Sequence, residues 1–289
     1  TQILPGEFKG RRFKKGHIVT EADIPVLLSL GKDHLYVWEN KPGMVHENDA
    51  AIFLKDIAMG KGLTFGEIKE GKISFDAAFD GLLKVNVPLL KKLNMLGEIS
   101  FATLMNDTPV KKGQNVAAAR VIPLVIDEKK LSAAKEALDS EKIISVLPFT
   151  PRKAAIVTTG SEVYYHRIED KFGPAVCAKL EAYGCEVMGQ TLVPDDKEKI
   201  KDIGARLVTY GTPVLPGAMF LMAYYGDIPV MGLPGCVMHA KTTVFDMALP
   251  KILAGETITM EDIAGLGHGG LCMQCDVCRY PVCHFGKGY

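Results

Sequence analysis

The residues with the clearest chemical potential lie near the end of the chain, where Cys272, Cys275, Cys278 and Cys283 are separated by two, two and four residues. Four thiols on so short a segment can wrap one metal centre, and the spacing is similar to the bacterial iron–sulfur run C-x2-C-x2-C-x3-C-P. Two features differ from that run: the last interval is longer, and Pro281 precedes the final cysteine instead of following it. An iron–sulfur cluster and a tetrahedral zinc are both open, with reduced thiols and disulfides as the alternatives without metal. His268 and His284 flank the group and read as solvated residues. Cys177, Cys185 and Cys236 sit in apolar surroundings, where a free cysteine behaves as a small buried hydrophobe.

Two glycine turns form a second set. Thr158-Thr159-Gly160-Ser161-Glu162 follows the apolar run Ala154–Val157, and Pro234-Gly235-Cys236 follows Ile228–Leu233. A turn from a strand into a helix gathers backbone N–H groups and a positive helix end, which suits an anion. Gly160 and Gly235 would let the backbone approach a phosphate closely, and Thr158, Thr159 and Ser161 offer hydroxyls. Glu162 and Asp170 are placed to hold a divalent ion. Their bland reading is a helix cap and a solvated charge. Such turns also occur in α/β proteins for geometric reasons alone.

The elements that must position these residues divide the chain near residue 150. Before it, short apolar runs at Ile18-Val19, Leu35–Trp38, Leu83–Val87 and Val116–Ile126 read as strands, the last carrying Pro123 at an edge or bend. Helices are expected at Glu21–Leu30 with Thr20 as cap, at Glu47–Ala58 and at Ser132–Leu138. This half is mixed α+β. From Lys153, strand Ala154–Val157, a helix through Phe172, Val176, Leu180 and Tyr183 closed by Gly184, and strand Cys185–Met188 follow one another. That order implies a parallel α/β sheet. A further helix is expected at Val237–Leu249, ended or kinked by Pro250. Gly265–Gly270 reads as a tether to the cysteines, and the basic run Lys9, Arg11, Arg12, Lys14 and Lys15 as a solvated loop.

Composition limits the function classes. In 289 residues, 34 Lys+Arg balance 34 Asp+Glu, which argues against a general nucleic-acid binder. No apolar run approaches the length of a bilayer span, and nothing reads as a signal peptide, so a cytoplasmic protein without a membrane partner is expected. The sequence opens on Thr1, so it need not be the whole translated chain.

The order of several motifs carries a resemblance. Thr159-Gly160-Ser161-Glu162-Val163 followed by Arg167–Asp170, then Val193-Pro194-Asp195-Asp196, Leu215-Pro216-Gly217 and Gly232-Leu233-Pro234-Gly235, is similar to the molybdopterin-binding domain of molybdenum-cofactor biosynthesis proteins. Pro5–Gly10 and Lys15–Ile18 loosely resemble the multidomain molybdopterin molybdenumtransferase branch. The resemblance implies a three-layer, doubly wound, mostly parallel sheet at 150–264, preceded by a strand-rich mixed α+β domain at 1–149 and followed by a cysteine-rich tail at 265–289. It also implies a pocket for molybdopterin or its adenylylated form, and Mg-dependent adenylyl transfer or molybdenum insertion. Thr158, Thr159, Gly160, Ser161, Pro216, Gly217, Pro234, Gly235 and Cys236 are then the binding residues, with Glu162 and Asp170 the catalytic ones. A homo-oligomer binding a small pterin or nucleotide is the expected assembly.

Departures from the family bear on mechanism. The family carries a strand ending in a Thr-Gly-Gly-x-Ser loop after the Val-Pro-Asp-Asp segment, and only Lys197 to Leu207 stand in that interval here. We expect a segment holding part of the site to be absent between Asp202 and Ala205, with its loss from the protein as the alternative. Cys236 stands where many relatives have Asn, and Ala218-Met219 where some place Lys. Cys236 at a helix start could have a lowered thiol pKa, or serve packing alone. Two rival functions are a non-catalytic pterin or nucleotide carrier or sensor, and a redox module built on the cysteine tail.

Overall fold

The computed structural model describes residues 2–4, 8–10, 13, 19–34, 42–194 and 206–287. They belong to two compact units, Thr1–Pro42 and Gly43–Tyr289. In the first, β1 (Gln2–Leu4) pairs antiparallel with β2 (Phe8–Gly10). A 3-10 turn, Glu21–Asp23, then leads into α1 (Ile24–Ser29). Asp23 accepts from the Thr20 backbone N–H at 2.9 Å and from its hydroxyl at 2.8 Å, closing the start that Thr20 predicts. The strands expected at Ile18 and Leu35–Trp38 lie outside the described residues, apart from Val19.

The second unit opens with β3 (Met44–His46) and α2 (Glu47–Ala58), whose start is capped by His46 accepting from Asn48 N–H at 3.2 Å. Ala50, Ala51, Leu54 and Ala58 recur on one face of α2 and are buried. That face covers an antiparallel sheet of β4 (Leu63–Phe65), β5 (Lys72–Ala77), β9 (Asn115–Val121) and β7 (Ile99–Thr103), in that order. Ile73, Phe75 and Ala77 alternate inward along β5, as a half-buried strand requires. A second sheet orders β11 (Ile144–Pro148), β6 (Gly81–Val85) and β8 (Thr108–Val110). Two helices, α3 (Val87–Asn94) and α4 (Glu128–Leu138), complete this mixed α+β half. The α4 helix begins four residues before Ser132 because Asp127 accepts from Lys129 N–H at 2.8 Å and caps it there. The run from Val116 breaks around Pro123 into β9 and β10 (Val125–Asp127), and β10 pairs with β3.

From residue 153 the pattern is α/β. β12 (Lys153–Thr159) pairs parallel with β13 (Glu186–Val193) across the helices α5 (Ser161–Tyr164) and α6 (Phe172–Glu181). Gly184 takes φ +73° just past the end of α6, the conformation for which glycine was expected. β14 (Arg206–Tyr210), β15 (Leu221–Tyr225) and β16 (Ile228–Gly232) form an antiparallel sheet. Among the strands of the described residues, parallel pairing is thus confined to β12 and β13. Gly226-Asp227 alone connects β15 to β16, and two residues can only make a hairpin.

The helix expected at Val237–Leu249 is displaced. Gly235–Met238 is a 3-10 turn, and α7 runs from Val244 to Leu253. Thr243 sets the boundary: its hydroxyl accepts from Phe245 N–H at 3.3 Å, while its own N–H donates to Asp246 at 2.8 Å. Pro250 lies inside α7 and does not end it. One last helix, α8 (Met260–Gly265), precedes the cysteine segment.

The apolar core of the first half draws on residues 50–146, and two further cores draw on residues 156–285. Where the halves meet, Lys84 of β6 bridges Asp107 and Glu256 at 2.6 Å each, and Lys251 of α7 bridges Asp107 at 2.8 Å. Burial pushes the Asp107 carboxyl up, but the Lys251 and Lys84 ammonium groups more than reverse this and hold it below the usual carboxylate range. Among the described residues no helix is long and apolar enough to cross a membrane.

Candidate functional site

A cleft of about 1860 Å³ opens along β12, bordered on its far side by β16. Each of these two strands pairs with a single neighbour among the described residues. Val157 of β12 is consequently 60% exposed, unusual for the centre of an apolar strand in an α/β sheet. Ile156, Phe172, Val230, Met231 and Phe245 give the cleft apolar walls. Arg152, Lys153 and Lys171 bring cationic groups to it, and Glu162, Glu169 and Asp170 anionic ones.

The first glycine turn stands at the end of β12. Gly160 has φ +152°, and its N–H donates to the Val193 carbonyl at 3.2 Å, tying the turn to the end of β13. A Cβ on Gly160 would lie 3.1 Å from the Glu162 carboxylate, so absence of a side chain lets Glu162 fold back over the turn. Thr158, Thr159 and Glu162 line the cleft, Thr158 buried and the other two exposed. The helical geometry is weaker than the sequence suggests, because α5 is a single turn of four residues. A helix dipole needs aligned peptides, and one turn supplies few.

Asp170 has a different setting from Glu162. Its carboxylate accepts from Phe172 N–H at 2.9 Å and Gly173 N–H at 3.2 Å, which closes the start of α6. Gln190 Nε2 of β13 reaches both Asp170 Oδ2 and the Thr158 hydroxyl, the latter at 2.7 Å. Asp170 is thereby built into a brace that joins β12, β13 and α6. Gln190 and Gly173 are the residues that sequence reasoning missed here. A Cβ on Gly173 would fall within 2.4 Å of the Gln190 amide, so the brace needs glycine at that point. The adjacent Gly173-Pro174 pair, early in an otherwise apolar helix, was the available signal.

The second glycine turn contributes Gly235 to the cleft. Cys236 beside it has its thiol pushed up by burial, which favours the packing role over the activated thiol among the two readings of this residue. Pro216 and Gly217 go elsewhere. Gly217 packs under α7, where an added Cβ would lie 2.9 Å from Val244, and Leu215 forms a bridge with Leu271 at the head of the cysteine segment. Of the site residues that the resemblance implies, Thr158, Thr159, Glu162, Asp170 and Gly235 line the cleft, whereas Gly160, Ser161, Pro216, Gly217, Pro234 and Cys236 do not.

The cysteine segment lies against the loop that follows the second turn. The Thr242 hydroxyl is 3.3 Å from Cys278 Sγ, and Lys241 Nζ donates to the Asp276 carbonyl at 2.6 Å. The Thr242 hydroxyl and the Tyr280 N–H hold the Cys278 thiol below its ordinary range. All four tail cysteines are free thiols. Among the described residues no three His, Cys, Asp or Glu side chains are grouped so as to hold a metal. The segment expected to be absent between Asp202 and Ala205 lies outside the described residues, as do Asp195 and Asp196.

Comparison with known proteins adds three findings. Residues 155–211 match the family model described as "Probable molybdopterin binding domain", which spans β12, the Gly160 turn, the Asp170 brace and β13. Residues 1–39 match a second model, described as "Domain of unknown function (DUF8806)". Among solved structures, the molybdopterin biosynthesis MoeA protein from Pyrococcus horikosii is similar with 15% identity and a TM-score of 0.30, over 73% of this chain and 79% of that one. No curated protein matches the chain.

Proposed function

We propose that the 150–264 portion of this chain binds molybdopterin or its adenylylated form in the cleft along β12, as a step of molybdenum-cofactor biosynthesis. The observation that carries the reading is a coincidence of place. The residues that match the molybdopterin-binding family model, 155–211, are the ones that build one wall of the cleft and the glycine turn at its end. The chemistry of the walls agrees with such a ligand. A flat heterocycle suits the apolar faces of Ile156, Phe172 and Met231, and a phosphate suits Arg152, Lys153 and Lys171. The same reading takes 1–149 as an accessory mixed α+β domain, 265–289 as a cysteine-rich appendage, and the protein as a cytoplasmic homo-oligomer.

The reaction we assign is adenylyl transfer to the pterin, or loss of the adenylyl group as molybdenum is inserted. Both need charge at phosphorus to be neutralised. Glu162 and Thr159 are both exposed and both line the cleft, and their hard oxygen donors are of the kind Mg²⁺ takes. Glu162 would hold such an ion together with the ligand's phosphate, and the ion would supply charge neutralisation. Asp170, with its carboxylate turned to backbone N–H groups and Gln190, acts by keeping β12 and α6 in register.

That same commitment of Asp170 favours a second reading, a carrier that binds the pterin without turning it over. The two separate in one assay. The intact chain, supplied anaerobically with adenylylated molybdopterin, Mg²⁺ and molybdate, should release AMP only when molybdate is present if it inserts molybdenum. With molybdopterin and Mg-ATP it should release pyrophosphate if it adenylylates. Stoichiometric binding with neither product identifies a carrier, and absence of binding rejects the whole proposal.

A further inference from the structure

The stretch from Leu271 to Lys287 has almost no regular structure. Its head is pinned where Cys272 N–H donates to the Leu215 carbonyl at 2.8 Å, and its end by the buried side chains of Phe285 and Lys287. Between these anchors Tyr280 and Cys283 pack against the core, but Met273, Val277 and Val282 are 68%, 74% and 75% exposed. Apolar burial therefore does little to hold the middle of the segment. Short segments with so little core are generally fixed by a staple, either covalent or metallic. All four thiols of the appendage stand inside this stretch and none is oxidised.

The donor chemistry, four sulfurs with hydrogen-bond donors already beside two of them, suits the metallic staple. The Gln274 N–H points at Cys272 Sγ across 3.5 Å, a contact from the second residue after a cysteine that offers a hydrogen bond to a thiolate. The Thr242 hydroxyl occupies a similar place beside Cys278 Sγ at 3.3 Å. Outer hydrogen bonds of this type orient sulfur ligands around a metal. In the structure as it stands the four thiols do not converge, and the exposed middle of the segment leaves room for them to close.

We propose that Cys272, Cys275, Cys278 and Cys283 close on one thiolate-bound metal centre, and that its closure braces the loop 239–243. Each thiol gives up its proton to solvent on binding, with no change of oxidation state at sulfur. A zinc ion and an iron–sulfur cluster share this ligand chemistry. The bracing follows from contacts already made: Cys278 touches Thr242, and Asp276 accepts from Lys241. Gly235, which lines the cleft, is only four residues before the start of that loop. Closure at the cysteines is thus transmitted to one wall of the cleft.

The experiment needs no pterin, so its failure is separable from failure of the proposed function. The intact chain is purified anaerobically and its zinc, iron and acid-labile sulfide are measured. Metal-stripped protein is then titrated with Co²⁺, or reconstituted with iron and sulfide. We expect about one centre per chain, with tetrahedral cobalt–thiolate absorption for zinc or iron matched by sulfide for a cluster. Cys275→Ser should lower occupancy severalfold while the circular dichroism stays unchanged. Hydrogen exchange in residues 239–243 should slow severalfold when metal is restored. Three results would overturn the proposal: no metal retained after either treatment, full occupancy in Cys275→Ser, or exchange in the loop indifferent to metal.

Discussion

The Tyr280 hydroxyl donates to the backbone carbonyl of Asp246 at 2.9 Å, and Asp246 is the residue whose carbonyl would accept from position 250 in an unbroken helix. Pro250 stands there and has no N–H to give. A side chain of the cysteine segment therefore replaces a hydrogen bond that the sequence of α7 removes. The same Asp246 receives Lys179 of α6 at 2.5 Å and closes the capping box with Thr243. One residue thus joins α6, the start of α7 and the tail.

Tyr280→Phe should destabilise the chain by about 1 to 2 kcal/mol, because it leaves a part-buried carbonyl without this donor. Replacing the proline by Pro250→Ala restores the helical N–H. In that background Tyr280→Phe should cost much less. Denaturant unfolding of the two single variants and the double variant measures the coupling, and additivity would contradict the replacement.

Much of this architecture is legible locally, and the compensation for Pro250 is not. Glu47–Ala58 is readable because its apolar period and both ends are encoded within the segment itself. The Thr20 start, the Gly184 end and the break at Pro123 are equally local. Thr243 with Asp246 was a visible capping signal as well, and it would have placed the start of α7 correctly. Tyr280, by contrast, is 34 residues from the carbonyl it satisfies, and no spacing rule connects them. The site divides in the same way. Glycine turns and their carboxylates can be read from motif order, whereas Gln190 enters only once β13 lies beside β12.

Gln190→Ala and Gly173→Ala should produce the same loss through one contact. The first removes the amide that joins Thr158 to Asp170, and the second drives that amide out of position. Each should cost about 1 to 2 kcal/mol, and the double variant little more than either, since neighbours sharing one interaction are not additive. Thermal or denaturant unfolding checks both statements, and a sum of the two losses would refute the brace.

Lys287 makes stability depend on alkaline pH. Burial pushes its ammonium down to about 8 in the folded chain, although Asp107 pulls the other way. Its ordinary pKa is near 10.4. The unfolded chain therefore binds the extra proton between those values, and folding stability from this group rises as pH climbs through that window. Below it, the buried charge is a standing cost. Lys287→Met should be more stable than the parent at pH 7, by on the order of 1 to 2 kcal/mol, with the gap narrowing toward pH 10. Unfolding at a series of pH values checks the sign, and a gap that widens would contradict it.

Asp107 controls the acid side. Its carboxyl is held down in the folded chain by Lys251 and Lys84, so its stabilisation is present above the ordinary carboxylate pKa and is lost as pH falls through the lowered value. Asp107→Asn should reduce stability at neutral pH by about 2 to 3 kcal/mol and flatten the acid limb of the curve. Parallel acid titrations of parent and variant would expose a steep limb that persists without Asp107, and that would shift the effect to other carboxylates.

The proposed molybdopterin site lies in the cleft along β12, with the Gly160 turn at its end. Its most direct test is anaerobic equilibrium binding of molybdopterin to the intact chain, compared with Gly160→Leu whose fold is verified by circular dichroism. Binding should saturate at one site per chain and weaken about tenfold or more in the variant, which corresponds to roughly 1.4 kcal/mol. Absence of saturable binding by the parent chain, or equal affinity in the variant, would contradict the proposed site.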